Sequence, residues 1–384
     1  MIKIVKTMFI FILCIIPINT FALDDTLISN ASSGILIEAS SGKIIFEKDK
    51  DKKVPIASMT KMVAQIIILE NIEKGNIKWD DMVTVSKNAA DMGGSQIYIG
   101  EGEKISIRDL MKGISMASGN DATVAMAEVI SGSEEKFVKL MNKKVKELGL
   151  KNTVFKNCTG LDEDGHYSSA YDMAMIARDL VVNHSEILKF SSVYEDYLRE
   201  NTENKFWLVN TNKLVRYYEG ADGLKTGHTD AAKYCLAATA KRNNLRLIGI
   251  VLGEENSKVR NNEAMALLDY GFNNIKFNTL KEKGEVVKRV YIDKATKKVI
   301  DIALQDDLGV IEENNSSKHK YKYEVIIDDI KLPLKKNSIV GKFVVKEKGK
   351  EVGNTNLVIL EDIDNISYFN LLVDSLKDIV TGIF

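Results

Sequence analysis

Ser58 and Lys61, three residues apart in Pro55-Ile56-Ala57-Ser58-Met59-Thr60-Lys61, are the side chains of this sequence best placed to do chemistry together. They open an apolar run, Met62 to Leu69, that predicts a helix, and one helical turn sets both on the same face. A serine hydroxyl attacks poorly until a base takes its proton. A lysine amine is such a base only when burial and nearby positive charge hold it neutral, and an apolar helix supplies the burial. The start of that helix also offers N–H groups and a positive dipole end where charge would develop on an attacked carbonyl. The same spacing recurs at Ser133-Glu134-Glu135-Lys136 and Ser317-Lys318-His319-Lys320. A helix-start serine beside a surface lysine explains any one match, so spacing alone does not choose.

Company chooses. Downstream of Ser58 stand Ser118-Gly119-Asn120 and then Lys225-Thr226-Gly227, the latter tripeptide occurring once. Each has a bland explanation: Ser118 or Asn120 as the cap of a helix resuming at Ala122, and Lys225 as a charge guarding a strand edge. Ser86-Lys87-Asn88 repeats the second pattern and shows how common it is. Together and in this order, the three form the recognised signature of penicillin-binding proteins and class A β-lactamases. The chain resembles the low-molecular-mass D-alanyl-D-alanine carboxypeptidases among penicillin-binding proteins. That resemblance runs through Gly94-Ser95 to Leu110, Met116 to Glu128, Gly165 to Met173, Ala221 to Ala240 and Leu332 to Ile363.

The resemblance implies a serine peptidase acting on peptidoglycan stem peptides ending in D-Ala-D-Ala, with β-lactam antibiotics as covalent inhibitors and no cofactor. It implies Ser58 as nucleophile, Lys61 as its base and Ser118 as proton relay to the leaving amine. Asn120 would bind the substrate amide, and Lys225 and Thr226 the substrate carboxylate, with Lys225 also helping to keep Lys61 neutral. Gly227 belongs to the same motif, and the N–H groups of Ser58 and His228 would form the oxyanion hole. Arg260, in a loosely matching stretch, corresponds to an arginine near the carboxylate pocket. Two rivals remain: a class A-like β-lactamase, and a module that binds wall peptides or penicillin without turnover. Gly119 in place of Asp, and Glu163 outside a Glu-x-x-x-Asn frame, argue against the first.

The elements that must position these residues follow. Ser33 to Glu38 and Gly42 to Phe46 read as a hairpin, and Gly93-Gly94-Ser95-Gln96 as tight turns near the cleft. Ser169 and Asp172 have capping-box spacing before a helix from Met173 to Val182, which accounts for them without catalysis. Trp207 and Asn210-Thr211-Asn212-Lys213 read as loop or cleft wall. Gly223 to Thr229, Tyr234 to Ala240 and Leu245 to Leu252 read as three antiparallel strands, the first an edge on which an extended peptide can pair. The fold class is therefore α+β, helices packed on an antiparallel sheet as in β-lactamases and transpeptidases. Val286 to Val290, Tyr321 to Ile327, Ile339 to Val345 and Thr355 to Leu360 alternate as strands of a small all-β domain without a catalytic cluster.

At the ends, residues 1–22 read as an export signal: Lys3 and Lys6, an apolar core from Met8 to Ile16, and small residues before the cleavage point, a retained anchor being the alternative. The expected domains are the signal 1–22, a peptidase domain 23–277, an all-β domain 278–365 and an amphipathic helix 366–384. That last segment sets Phe369, Leu372, Val373, Leu376, Ile379, Val380, Ile383 and Phe384 on one face, suiting the membrane surface or its own β domain. The expected location is outside the cytoplasmic membrane, peripheral to it at the cell wall. A net charge of −1 gives no reason to expect nucleic acid. Cys158 and Cys235 are expected as free buried thiols rather than a bridge, and the scattered His166, His184, His228 and His319 predict no metal.

Overall fold

The computed structural model describes residues 27–200, 202–313 and 320–367. The expected leader, Ser317-Lys318-His319 and all of the tail beyond Ser367 lie outside the described residues.

Strand-forming, β-branched stretches from the two ends of the first domain meet in one five-stranded antiparallel sheet. Its order is Ile44–Lys48, Ser33–Glu38, Leu245–Glu254, Lys233–Arg242 and Ala221–Thr229. The expected hairpin is present, with Ile35 opposite Glu47. Ala221–Thr229, which carries Lys225-Thr226-Gly227, is the edge strand, as its polar flanks suggest. Both sheet faces are covered, so the central strands are apolar throughout rather than alternating. Ile248, Ile250, Leu252 and Ala237 enter a core shared with the helices Lys61–Glu73 and Ala170–Val182. Leu247, Val251, Leu236 and Ala238 pack on the other side against Ala264, Leu267 and Leu268 of the helix Ser257–Asn274. At Gly271 that helix comes so near the sheet that a Cβ would meet Leu247 Cδ1 at 2.5 Å, which explains the glycine.

The helix Lys61–Glu73 is buried all round from Lys61 to Leu69, not on one stripe. A helix without a solvated face belongs at the centre of a helical layer, and this one is packed by Asn120–Ser131, Glu134–Glu147 and Ala170–Val182. Such a site deprives any ionisable group on it of water.

The second core is separate and all-β. Strands Val286–Tyr291, Val299–Leu304, Lys350–Ile359, Ile339–Glu347 and Lys322–Ile327 form an antiparallel sheet in that order. Ile300, Ile302, Phe343, Val345, Leu357 and Ile359 are buried in it. A two-stranded sheet joins Ile275–Lys281 to Leu308–Glu313. Ile275–Lys281 follows the helix Ser257–Asn274 with no intervening loop and runs through residue 277, where the sequence pattern suggests that the first domain ends. Among the described residues no helix is long and apolar enough to cross a membrane.

Candidate active site

Ser58 lies in a single 3-10 turn, Ala57–Thr60, leading into the buried helix at Lys61. The tight turn and the helix together aim both side chains the same way. Lys61 Nζ stands 2.7 Å from Ser58 Oγ and donates to the backbone carbonyl of Thr159 at 2.6 Å. Lys61 is 0% exposed, and burial is the main cause that brings its amine down from the ordinary lysine range to about 7. Cys158 and the buried carboxyl of Asp121 pull weakly the other way. The neighbouring loop is pressed against the nucleophile turn at Gly160, whose φ of +84° and hypothetical Cβ only 2.0 Å from Ala57 O admit no other residue without displacement. Thr60 Oγ1, bonded to Ala57 O at 2.8 Å and to His166 Nε2 at 2.8 Å, closes the turn from behind.

The Ser118 segment refutes the capping explanation. Gly119, not Ser118 or Asn120, is the N-cap of the helix Asn120–Ser131, and no side chain caps it. Ser118 is held at φ +63° after a π-helical turn, Gly113–Ala117, a strained conformation for a residue with a Cβ. Its Oγ and Asn120 Oδ1 are buried without a hydrogen-bond partner. Unpaired buried polar atoms are costly, and here they leave groups ready for a ligand. Asn120 Nδ2 donates to Gly93 O at 2.7 Å and Asn120 N to Ser95 O at 2.7 Å, so the glycine-rich loop is indeed cleft wall. Asp121 holds the same loop, accepting from Ile97 N at 3.0 Å and Ile99 N at 3.3 Å.

The edge strand supplies the other wall. A Cβ at Gly227 would sit 2.6 Å from Ile56 O, so the absence of a side chain lets the strand run against the nucleophile turn. Lys225 is 1% exposed, with Nζ donating to Thr226 O at 2.9 Å. Burial first, then the charges of Lys61 and Arg260, push its amine well below the lysine range. Repulsion between the two amines thus registers on Lys225, whereas burial accounts for Lys61. Thr226 Oγ1 donates to Thr211 Oγ1 at 2.7 Å. His228 follows, exposed, its ring 4.1 Å from that of Tyr234. Arg260 stands in the first turn of the last helix, nearly buried, with Nε and Nη2 donating to Asn261 Oδ1. Its charge is felt by Lys225, and Cys235 and Tyr234 of the neighbouring strand act on it in turn.

Competing motifs fall away. Ser133 caps the helix Glu134–Glu147, Ser86 caps Lys87–Ala90, and Ser169 accepts from Asp172 N at 3.2 Å. Glu163 is exposed and accepts from Asn157 Nδ2 at 3.0 Å. Cys158 and Cys235 are free and buried. Among the described residues no group of three or more potential metal ligands occurs. Two contacts escape a reading of side chains: the Thr159 carbonyl on Lys61, which leaves no mark on residue type, and the Thr211 hydroxyl on Thr226.

A hydroxyl beside a desolvated amine, set against a free strand edge, is the arrangement of serine enzymes that work through an acyl intermediate. The family model "D-alanyl-D-alanine carboxypeptidase" matches residues 22–256, and "Penicillin-binding protein 5, C-terminal domain" matches residues 276–365. This chain belongs to the D-alanyl-D-alanine carboxypeptidase family of penicillin-binding proteins. It is 44% identical over 349 residues to a D-alanyl-D-alanine carboxypeptidase of Bacillus subtilis (strain 168), covering 91% of this chain and 90% of that one. Penicillin binding protein 5 from Haemophilus influenzae superposes with a TM-score of 0.66 at 32% identity, over 87% of this chain and 98% of that one. Penicillin-binding protein D2 from Listeria monocytogenes, solved in its ampicillin-bound form, superposes with a TM-score of 0.57 at 30% identity, over 63% and 97%.

Proposed function

We propose that this protein is a serine-type D-alanyl-D-alanine carboxypeptidase that removes the terminal D-alanine of peptidoglycan stem pentapeptides through an acyl-enzyme on Ser58. The carrying observation is Lys61 Nζ, fully buried, 2.7 Å from Ser58 Oγ. A neutral lysine has two N–H donors and one lone pair. With one donor on Thr159 O, the lone pair takes the Ser58 proton as Oγ attacks the carbonyl between the two D-alanines. The N–H groups of Ser58 and His228 hold the oxyanion, and Gly227 keeps that strand close. Ser118 hands a proton to the departing amine, D-alanine leaves, and water attacks the ester to restore Ser58. Asn120 binds the peptide amide, and Lys225 and Thr226 bind the terminal carboxylate, with Arg260 near the same pocket.

β-Lactams carry an amide and a carboxylate in similar relation and acylate the same hydroxyl. With Glu163 exposed and engaged by Asn157, release of penicillin is slow, unlike that of a class A β-lactamase. Residues 1–22 direct export, 23–277 carry the peptidase, 278–365 form the all-β domain, and 366–384 hold the protein peripherally at the outer face of the cytoplasmic membrane, toward the wall. The decisive assay is release of D-alanine from a stem peptide ending in D-Ala-D-Ala, wild type beside Ser58→Ala. Release abolished by the substitution is expected. Undiminished release overturns the mechanism, and peptide binding without release by either protein favours a binding module.

A further inference from the structure

The run Asn210-Thr211-Asn212 does more than wall the cleft. Its two asparagines are completely buried and spend their side chains on backbone. Asn210 Nδ2 donates to Ser191 O at 3.0 Å and Val193 O at 2.9 Å, while Asn212 Nδ2 donates to Gly223 O at 2.9 Å in the edge strand. Asn210 Oδ1 in turn accepts Asn212 N at 2.9 Å. Both neighbours of Thr211 are thereby fixed, and its own N–H donates to Met116 O at 3.0 Å, two residues before Ser118. One short segment therefore ties the Ser118 wall to the Lys225 wall through main chain and asparagines. The Thr211 hydroxyl is left over from this bracing, and it meets Thr226 Oγ1 at 2.7 Å.

We propose that Thr211 is a positioning residue that sets the Thr226 hydroxyl for the carboxylate of the substrate, a statement that rests on the carboxylate-binding role given to Thr226 above. In the free protein Thr226 donates to Thr211. A carboxylate entering the cleft is acceptor only and needs that proton. A hydroxyl both donates and accepts, so Thr226 turns its proton to the carboxylate while Thr211 supplies its own to the Thr226 oxygen. The Thr226 side chain keeps a partner in both states, and no proton is left facing a like group. Without the Thr211 hydroxyl, Thr226 loses its partner once it turns to the ligand.

Thr211→Val removes the hydroxyl but keeps the branched shape, and it leaves the Met116 and asparagine bonds intact. A single neutral hydrogen bond predicts a rise in KM for a D-Ala-D-Ala stem peptide of about three- to tenfold with kcat changed less than about twofold. Thr211→Ser restores the wild-type KM. Combined with Thr226→Val, Thr211→Val adds nothing further, because the partner through which it acts is gone. The concentration of benzylpenicillin giving half-maximal acylation rate, a carboxylate ligand that needs no turnover, shifts in parallel. Thermal unfolding of Thr211→Val falls by no more than the few degrees that one hydrogen bond is worth. An unchanged KM, additive effects in the double variant, or equal losses in KM and kcat that follow a lowered midpoint would each overturn the proposal. Failure of the wild type to release D-alanine defeats the proposed activity instead, and the penicillin readout still decides for or against Thr211.

Discussion

Two pairs of like-charged side chains are buried against opposite sides of the same sheet, and they resolve their conflict differently. Lys61 and Lys225 share the cleft side, where desolvation pushes both amines down and the Lys61 charge adds to the effect on Lys225. Glu254, closing the strand Leu245–Glu254, and Glu263 on the last helix share the other side. Burial and the Glu263 carboxylate raise Glu254 to about 8, while Asn30 and Ala31 N–H groups help to keep Glu263 ionised. Neither Glu254 oxygen receives a donor, whereas Glu263 accepts from Asn30 N at 3.0 Å, Asn30 Nδ2 at 2.9 Å and Ala31 N at 3.3 Å. The protonated acid beside the carboxylate is the arrangement that this geometry tolerates. Like charges in a dry site must lose or keep a proton, and the titration belongs to the pair. The amines spend that constraint on reactivity at an open cleft. The carboxyls spend it on a sealed latch over the first described residues.

The comparison breaks most visibly if the amine is removed. Lys61→Ala, with the Ser58 hydroxyl intact, is expected to slow acylation by penicillin on the order of a thousandfold, the scale of a lost general base. Stopped-flow acylation measures it, and a loss below tenfold would place the base elsewhere. Next comes pH. Since Lys61 is active as the neutral amine and has been lowered to about 7, kcat/KM for a stem peptide should climb as pH rises through about 7. Lys225→Met tests whether burial alone sets Lys61: with desolvation the cause of the shift, the midpoint of that climb should stay near 7. A midpoint that moves upward would show that the Lys225 charge also holds Lys61 down. The smallest effect concerns the carboxyls. Glu254 is raised in the folded state, so its contribution to stability is complete below the ordinary carboxyl range and is lost as pH rises through about 8. Glu254→Gln should cancel that alkaline loss and melt about 2–4 °C above wild type at high pH for each kcal/mol recovered. Parallel melting curves for the two proteins from acid to alkaline pH would show that the pair carries no linkage.

What the sequence made legible follows the range of the interaction. Ser58 and Lys61 are one helical turn apart, so their meeting is local and spacing announces it. The edge strand and the hairpin likewise follow from apolar runs bounded by turn residues. Ser118 and Asn120 were legible only through resemblance, because a helix cap has the same appearance and only the coordinates put the cap at Gly119. Lys225 and Arg260 look alike as isolated cations, and only the fold brings their charges within reach of one another. The Glu254 and Glu263 pair was missed because two acids near a surface helix look solvated until the N-terminal segment covers them. In the second domain, Leu308–Glu313 and its partner Ile275–Lys281 were hidden, since the partner begins as the end of a helix.

The Thr159 carbonyl that holds Lys61 belongs to the main chain, and this has an evolutionary consequence. Every amino acid presents the same oxygen there, so no substitution of Thr159 itself deletes the contact, and a variant that loosens the base must act through neighbours such as Gly160, at visible cost to packing. Substitutions at Thr159 itself would pass over this anchor in silence. An edit to the backbone, such as an ester in place of the amide between Thr159 and Gly160, would weaken it alone and reveal how much of the base's orientation depends on it.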